Sequence, residues 1–318
     1  MESVVKQFKA LVVDDRLVEA ETLLQEHGAE LQEACADATT LVQQRLRKAR
    51  DSREYARGLV QTGDGSVQID ADWTLIKEAN GIRTFHKHSE NARRLCIRVE
   101  GIVNAPLIFA LCAVREVDLV GDFVRVVKVS GHVLAMPSKF AIEALFRVAL
   151  PFPFSDRVIF VDADAVLLDE ATVVISGVSP RCRNSTTESD SSANTEVDIP
   201  ALTRGASEVY VIKAAGVVQR RSSDQVFLSV AVELDTGDMW LPHALVDWTV
   251  KHLCYYGFSD FRRRCESLYR DEESAHSCRM QQQRDFYDDV RQRIGDRETS
   301  DTDSAAASQS SEVRKRVR

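Results

Sequence analysis

Apolar residues recur every three or four positions through the first sixty residues of the chain: Leu17, Ala20, Leu23 and Leu24, then Leu31, Ala34, Ala38, Leu41, Val42 and Leu46. That period of about 3.6 residues is the signature of helices packed by one face. No proline breaks the stretch, and Gly28 separates its two runs. A helical hairpin of two or three helices is therefore predicted over 1–61, with Asp14 or Asp15 as an N-cap. The turn-rich "TGDGSVQ" (62–68) then acts as a linker, and from Ile69 to about Leu268 β-branched residues alternate with polar ones. "GIRTFHKH" (81–88) and "RLCIRVEGIV" (94–103) read as a strand hairpin. "NAPLIFALCAVREVDLVGDF" (104–123) reads as a helix capped by Asn104, with Pro106 in its first turn and Leu107, Ala110, Leu111, Val114 and Val117 on one face.

Strands dominate the middle of the chain: "VRVVKVSG", "ALFRVAL", "VIFVDADAVL", "TVVISGVS", "VYVIKAAGVV" and "VFLSVAVEL". A long helix closes the region in "DMWLPHALVDWTVKHLCYYGFSDFRRRCESL", where Pro242 suits the first turn and Gly257 is a point of interruption. Strands in a run, with helices segregated to the ends, predict an α+β fold. In the strand from Gln225, Val226, Leu228, Val230, Val232 and Leu234 form the inward set against Gln225, Ser229 and Glu233, with Phe227 and Ala231 also on the polar side. The closing helix carries two apolar stripes: Leu241, Leu245, Trp248 and Tyr255 on one face, Val246, Val250 and Leu253 on another. One stripe packs on the sheet while the other lines a space. The polar "CRNSTTESDSSANTEVD" (182–198) has little to bury and reads as a flexible insertion over about 182–206. The charged, then Ser/Thr/Asp/Ala-rich 280–318 reads as a disordered tail.

Composition narrows the function. At 318 residues, 44% hydrophobic and 28% charged, the chain has the make-up of a globular protein with a sizeable core. A net charge of −8 argues against a general nucleic-acid binder. Seven scattered cysteines without a C-x-x-C pair suggest reduced thiols rather than disulfides or a zinc site. The apolar run "LIFALCAV" (107–114) is too short to span a bilayer. The start lacks a signal-peptide pattern, so a cytoplasmic setting is expected.

Three segments resemble StAR-related lipid transfer (START) domains. "DTGDMWLPHALVDWTV" (235–250) is similar to the family's turn into its closing helix, and "LPFPFSDR" (150–157) to its Pro-aromatic-Pro corner. "DWTLIKEANGIRTFHK" (72–87), with Trp73 and Gly81, resembles its opening. In order, they cover 72–268, about two thirds of the chain, and place a START-like domain at 69–270. The sequence departs from the pattern at Phe152, where Trp is common, at Val158, where an acid is usual, and in the 182–206 insertion.

The resemblance implies a helix-grip fold, a curved antiparallel sheet around a long C-terminal helix, enclosing an apolar tunnel. The tunnel would hold one lipid or sterol-like molecule, with no cofactor, no metal and no catalysis. The expected lining is Phe152, Phe160, Ile212, Val226, Leu228, Val230, Trp240, Leu241, Leu245 and Trp248, with Arg98 and Arg147 as polar head-group contacts. Arg98, Glu100, Arg147, Asp162 and Asp164 all sit inside apolar strands: facing inward they need a polar head or a partner, and facing outward they lie on the sheet's far side. His86 and His88 share a strand face without a third metal ligand, and His243 and Asp247 are one helical turn apart. Helix-grip relatives include cyclases and hydrolases, so an enzyme is one alternative; an interaction or ligand-sensing scaffold is another. The basic cluster Arg45, Arg47, Lys48, Arg50, Arg53 and Arg57 suggests transient contact with an anionic membrane, or a protein partner for the N-terminal helices.

Overall fold

The computed structural model describes residues 2–61, 67–89, 91, 93–150, 155–180, 198–236, 249–271 and 273–296. Its first sixty residues form three helices. α1 (Glu2–Val13) stops where Asp15 takes a left-handed backbone, φ 56°, a conformation that Asp tolerates better than most residues. α2 (Leu17–Ala34) kinks at His27, beside Gly28, and α3 (Ala36–Ala56) follows after a single-residue break. Neither Asp14 nor Asp15 is the N-cap expected of them. Arg16 occupies that position, while the Asp15 carboxylate accepts the backbone N–H of Phe140 (3.1 Å) and pairs with Arg45 (2.5 Å).

β1 (Leu59–Gln61) and β2 (Val67–Ile69) form a small ribbon. β3 (Trp73–Ala79) and β4 (Ile82–Lys87) are joined by Asn80–Gly81, both at positive φ (51° and 71°), the two-residue turn that an Asn-Gly pair favours. β5 (Arg94–Val103) leads to α4 (Leu107–Arg115), which is shorter than expected. Pro106 is its N-cap, Asn104 instead hydrogen-bonds Glu266, and the chain breaks at Glu116 before a 3-10 turn over Val117–Asp122.

The remaining strands are β6 (Lys128–Ser138), β7 (Ala141–Ala149), β8 (Arg157–Asp169) and β9 (Thr172–Val178), then β10 (Ser207–Glu208), β11 (Tyr210–Ser222) and β12 (Gln225–Asp235). A short helix, α5 (Ile199–Thr203), falls inside the range read as a flexible insertion. A π-helical turn, Thr249–Cys254, runs into α6 (Tyr255–Leu268) with no break at Gly257. The strands form one sheet in the order β3-β4-β5-β12-β11-β9-β8-β7-β6, antiparallel along that path, with β10 added to β8.

Alternation gives this sheet two faces, and both are covered. Under α4 and α6, the inner face packs Ile82, Val103, Val218, Val226 and Leu228 against Leu107, Phe258 and Leu268. Gly101 allows this approach, because a Cβ there would stand 2.9 Å from the Phe258 ring and 2.9 Å from the Gly81 carbonyl. On the outer face, Val166, Val174, Ala215 and Val217 pack under α1–α3 through Phe8, Leu17, Leu31, Val42 and Leu46.

The chain also folds further than expected. α7 (Ala275–Gln282) and α8 (Arg284–Arg293) occupy part of the predicted disordered tail, with Met280, Tyr287, Val290 and Ile294 buried in the inner core. Residues 297–318 lie outside those described.

Candidate functional site

Small inward-facing side chains leave the middle of the inner face hollow. Ala163 on β8 pairs with Gly177 on β9, which pairs with Ala214 on β11, so three strands present a row of almost no side-chain volume. In the next row Ala165 and Gly216 flank Ile175. A tightly packed core would need large side chains at such positions. What forms instead is a cavity of about 470 Å³, roofed by Leu111 and Val114 of α4, Gly257, Phe258 and Phe261 of α6, and Phe286, Tyr287 and Val290 of α8. At roughly 30 Å³ per water-sized group, it has room for about sixteen such groups.

Three polar residues belong to the described lining: Arg115, Asp164 and Tyr287. The Asp164 carboxylate is committed to the outer face, where it takes the Arg45 guanidinium at 2.5 and 3.2 Å. The Tyr287 hydroxyl donates to Glu116 at 2.5 Å, and burial, with Cys112 and Glu116 nearby, raises its pKa far above the ordinary range. Glu116 is also bound by Arg279 at 2.7 Å. Burial pushes the Cys112 thiol up to about 12 and that of Cys254 likewise to about 12. Both are protonated at neutral pH and unsuited to nucleophilic attack. Among the described residues no cluster of His, Cys, Asp and Glu could hold a metal ion, and no helix is long and apolar enough to cross a membrane. Chemically, the arrangement can desolvate and enclose an apolar guest.

Of the expected lining, Leu228 and Val230 face the cavity. Val226 is on the same face but fully buried in the solid core beside it. Phe160 shares the outward parity of Asp162 and Asp164 on β8, and half-buried Ile212 sits at a register shift in β11; neither lines the cavity. Phe152, Trp240, Leu241, Leu245 and Trp248, together with His243 and Asp247, lie outside the described residues.

The two expected head-group contacts point away from the hollow. Arg98 is buried on the outer face, where it donates to the Arg57 carbonyl, stacks 3.9 Å over the Phe85 ring and stands 3.4 Å from Glu100. Arg147 shares outward parity with Glu143 and Leu145 on β7, binding Asp156 at 2.7 Å and the Leu202 carbonyl at 2.9 Å. The outward alternative for the charged strand residues is the correct one, and helices rather than water cover Arg98, Glu100 and Asp164. Sequence reasoning missed the lining from α8 and the row of small residues. The signals were the spacing of Phe286, Val290 and Ile294, and the alternation in "VDADAV" and "AAG".

No family model and no curated protein matches the sequence. Solved structures do match. Human STARD10 is 12% identical and superposes with a TM-score of 0.53 over 68% of this chain and 78% of its own. Human StAR-related lipid transfer protein 5 is 13% identical, with a TM-score of 0.53 over 73% of this chain and 97% of its own. The chain therefore has a START-like helix-grip fold, the α+β architecture expected from its strand and helix order.

Proposed function

We propose that this protein is a non-enzymatic lipid carrier that holds one lipid or sterol-like molecule in the cavity between sheet and closing helices and works in the cytoplasm. The observation that carries the reading is the hollow itself: an almost wholly apolar space of about 470 Å³, kept open by in-register Ala163, Gly177 and Ala214. Burying a dozen methylenes is worth about 0.8 kcal/mol each, or roughly 10 kcal/mol relative to water, with no reacting group required. Taking the same chain from a bilayer gains little from this term, so exchange with membranes is close to balanced. The exposed or half-exposed Arg47, Arg50 and Arg53 on α3 are the candidate contact with an anionic membrane during that exchange. The absence of a free acid–base pair in the described lining supports a passive role.

Gly257 provides the test. It lines the cavity, and a Cβ added there meets nothing within 4 Å. Gly257→Leu should improve helix propensity by about 1 kcal/mol while filling the space. Native mass spectrometry should find a bound lipid on the wild-type protein and little on the variant, whose melting temperature should be unchanged or raised. A wild-type protein that neither retains nor takes up lipid would favour the scaffold reading, and a chemically altered guest would favour an enzyme.

A further inference from the structure

Arg115 is the one cationic side chain in the described cavity wall, and its surroundings leave it under-used. It ends α4, and its guanidinium stacks 3.9 Å from the Phe286 ring centre, at the end of the cavity formed by α4 and α8. Its buried Nε has no hydrogen-bond partner among the described residues. The nearest carboxylate oxygen among the described residues, Oε1 of Glu116, is 3.6 Å away, an ion-pair distance beyond normal hydrogen-bond reach. That carboxylate is already held by Arg279 (2.7 Å) and Tyr287 (2.5 Å), and Arg279 in turn holds Asp118 at 2.7 Å. Among the described residues, the remaining contact of Arg115 is Nη2 with the Met136 sulfur at 3.8 Å, a weak acceptor. A guanidinium can make two parallel hydrogen bonds to one carboxylate, and a poorly matched one beside an apolar space is costly.

Resting on the lipid-carrier reading, we infer that the guest is a single-tailed amphiphile with a carboxylate head, its head on Arg115 and its tail along the Ala163–Gly177–Ala214 row. The cavity's volume, about sixteen water-sized groups, suits one alkyl chain of fatty-acid length. Glu116 opposes an incoming anion, but Arg279 offsets its charge at one carboxylate oxygen and Tyr287 donates to the other.

The test uses the full delipidated chain and three ligands with the same tail: palmitic acid, its methyl ester and cetyl alcohol. Each is titrated at neutral pH against a neutral, polarity-sensitive dye bound in the cavity. The acid should displace the dye at a concentration about tenfold lower than the ester, the advantage expected of a charge-assisted hydrogen bond. Arg115→Gln should bring acid and ester to within about twofold of each other while leaving dye and ester affinity in place. Arg115→Lys, which keeps the charge but loses the paired geometry, should fall between. Equal affinity for acid and ester in the wild-type protein, or an acid preference that survives Arg115→Gln, would overturn the inference and leave the carrier reading standing. No binding of dye or of any tail by the wild-type protein would overturn both.

Discussion

The two faces of this sheet alternate along the same strands and solve opposite problems. Outward, β8 presents Asp164 and Val166, β12 presents Ser229 and Ala231, and β5 presents Arg98 and Glu100, all buried or half-buried. The helical layer meets this polarity group by group: Arg45 of α3 binds Asp164, Ser229 donates to the Ala56 carbonyl at 2.5 Å, and Arg98 reaches the Arg57 carbonyl. Inward, the same strands present Ala163, Ala165, Leu228 and Val230, which need no partners and leave a void. Hydrophobicity alone does not separate a solid face from a hollow one. Side-chain volume does, once register sets the small residues side by side.

The largest expected effect tests the outer face. Arg45 bridges Asp15 (2.5 Å) and Asp164 (2.5 Å), joining α3 to the α1–α2 turn and to β8. Arg45→Leu would leave two largely buried carboxylates without their cation, a loss of about 3–5 kcal/mol. Lipid uptake by the folded fraction should persist, since Arg45 is not part of the described lining and meets Asp164 on the outer face. A denaturant midpoint matching the wild type would mean that the ion cluster does not hold the layer. A paired substitution compares the faces directly. Ala231→Leu, added among Trp73, Phe85 and Cys96, should cost about 1–3 kcal/mol through overpacking. Ala163→Leu points the same added volume into the cavity, so it should cost less than about 1 kcal/mol and impair uptake. Equal costs in thermal melts would make the two faces equally dense.

The strands and their inward set were legible because alternation is local: Val226, Leu228 and Val230 do share the inner face. The N-terminal helices were legible for the same reason. Which face those helices cover was not, since nothing local to "QQRLRKAR" announces a partner 119 residues away at Asp164. The hollow was equally hidden, because Ala163, Gly177 and Ala214 become a row only through β-sheet register. Charge was misleading at both ends of this problem. Arg98 and Arg147 suggested a polar site but belong to the outer face, and the charged stretch after Arg279 concealed a helix whose Tyr287 and Val290 are buried. The Trp73–Ala79 strand could have been read from the Asn80–Gly81 turn that comes after it.

A last comparison separates the two sides by pH. His276, on α7 beneath the inner core, is fully buried beside Phe123; Arg264 donates to its Nδ1, at 3.0 Å from Nη2, and its Nε2 has no partner among the described residues. Burial, reinforced by the Arg264 charge, lowers its pKa from 6.5 to about 4. The unfolded chain therefore binds more protons between these values, and stability should fall as pH drops from 6.5 toward 4. The outer layer is tied to α8 by Asp14, which accepts Arg293 at 2.6 Å. Burial works against the Asp14 charge, but Arg293 and Lys139 outweigh it and hold its carboxyl below its usual 3.8. The stabilisation from Asp14 is thus present above that value and is lost only as pH falls through the lowered pKa. Urea melts from pH 7 to 4 should slope downward in the wild type and less steeply in His276→Gln, with Asp14→Asn retaining the wild-type slope over that range. An unchanged slope in His276→Gln would assign the acid sensitivity to some other group and remove this distinction between the two sides of the sheet.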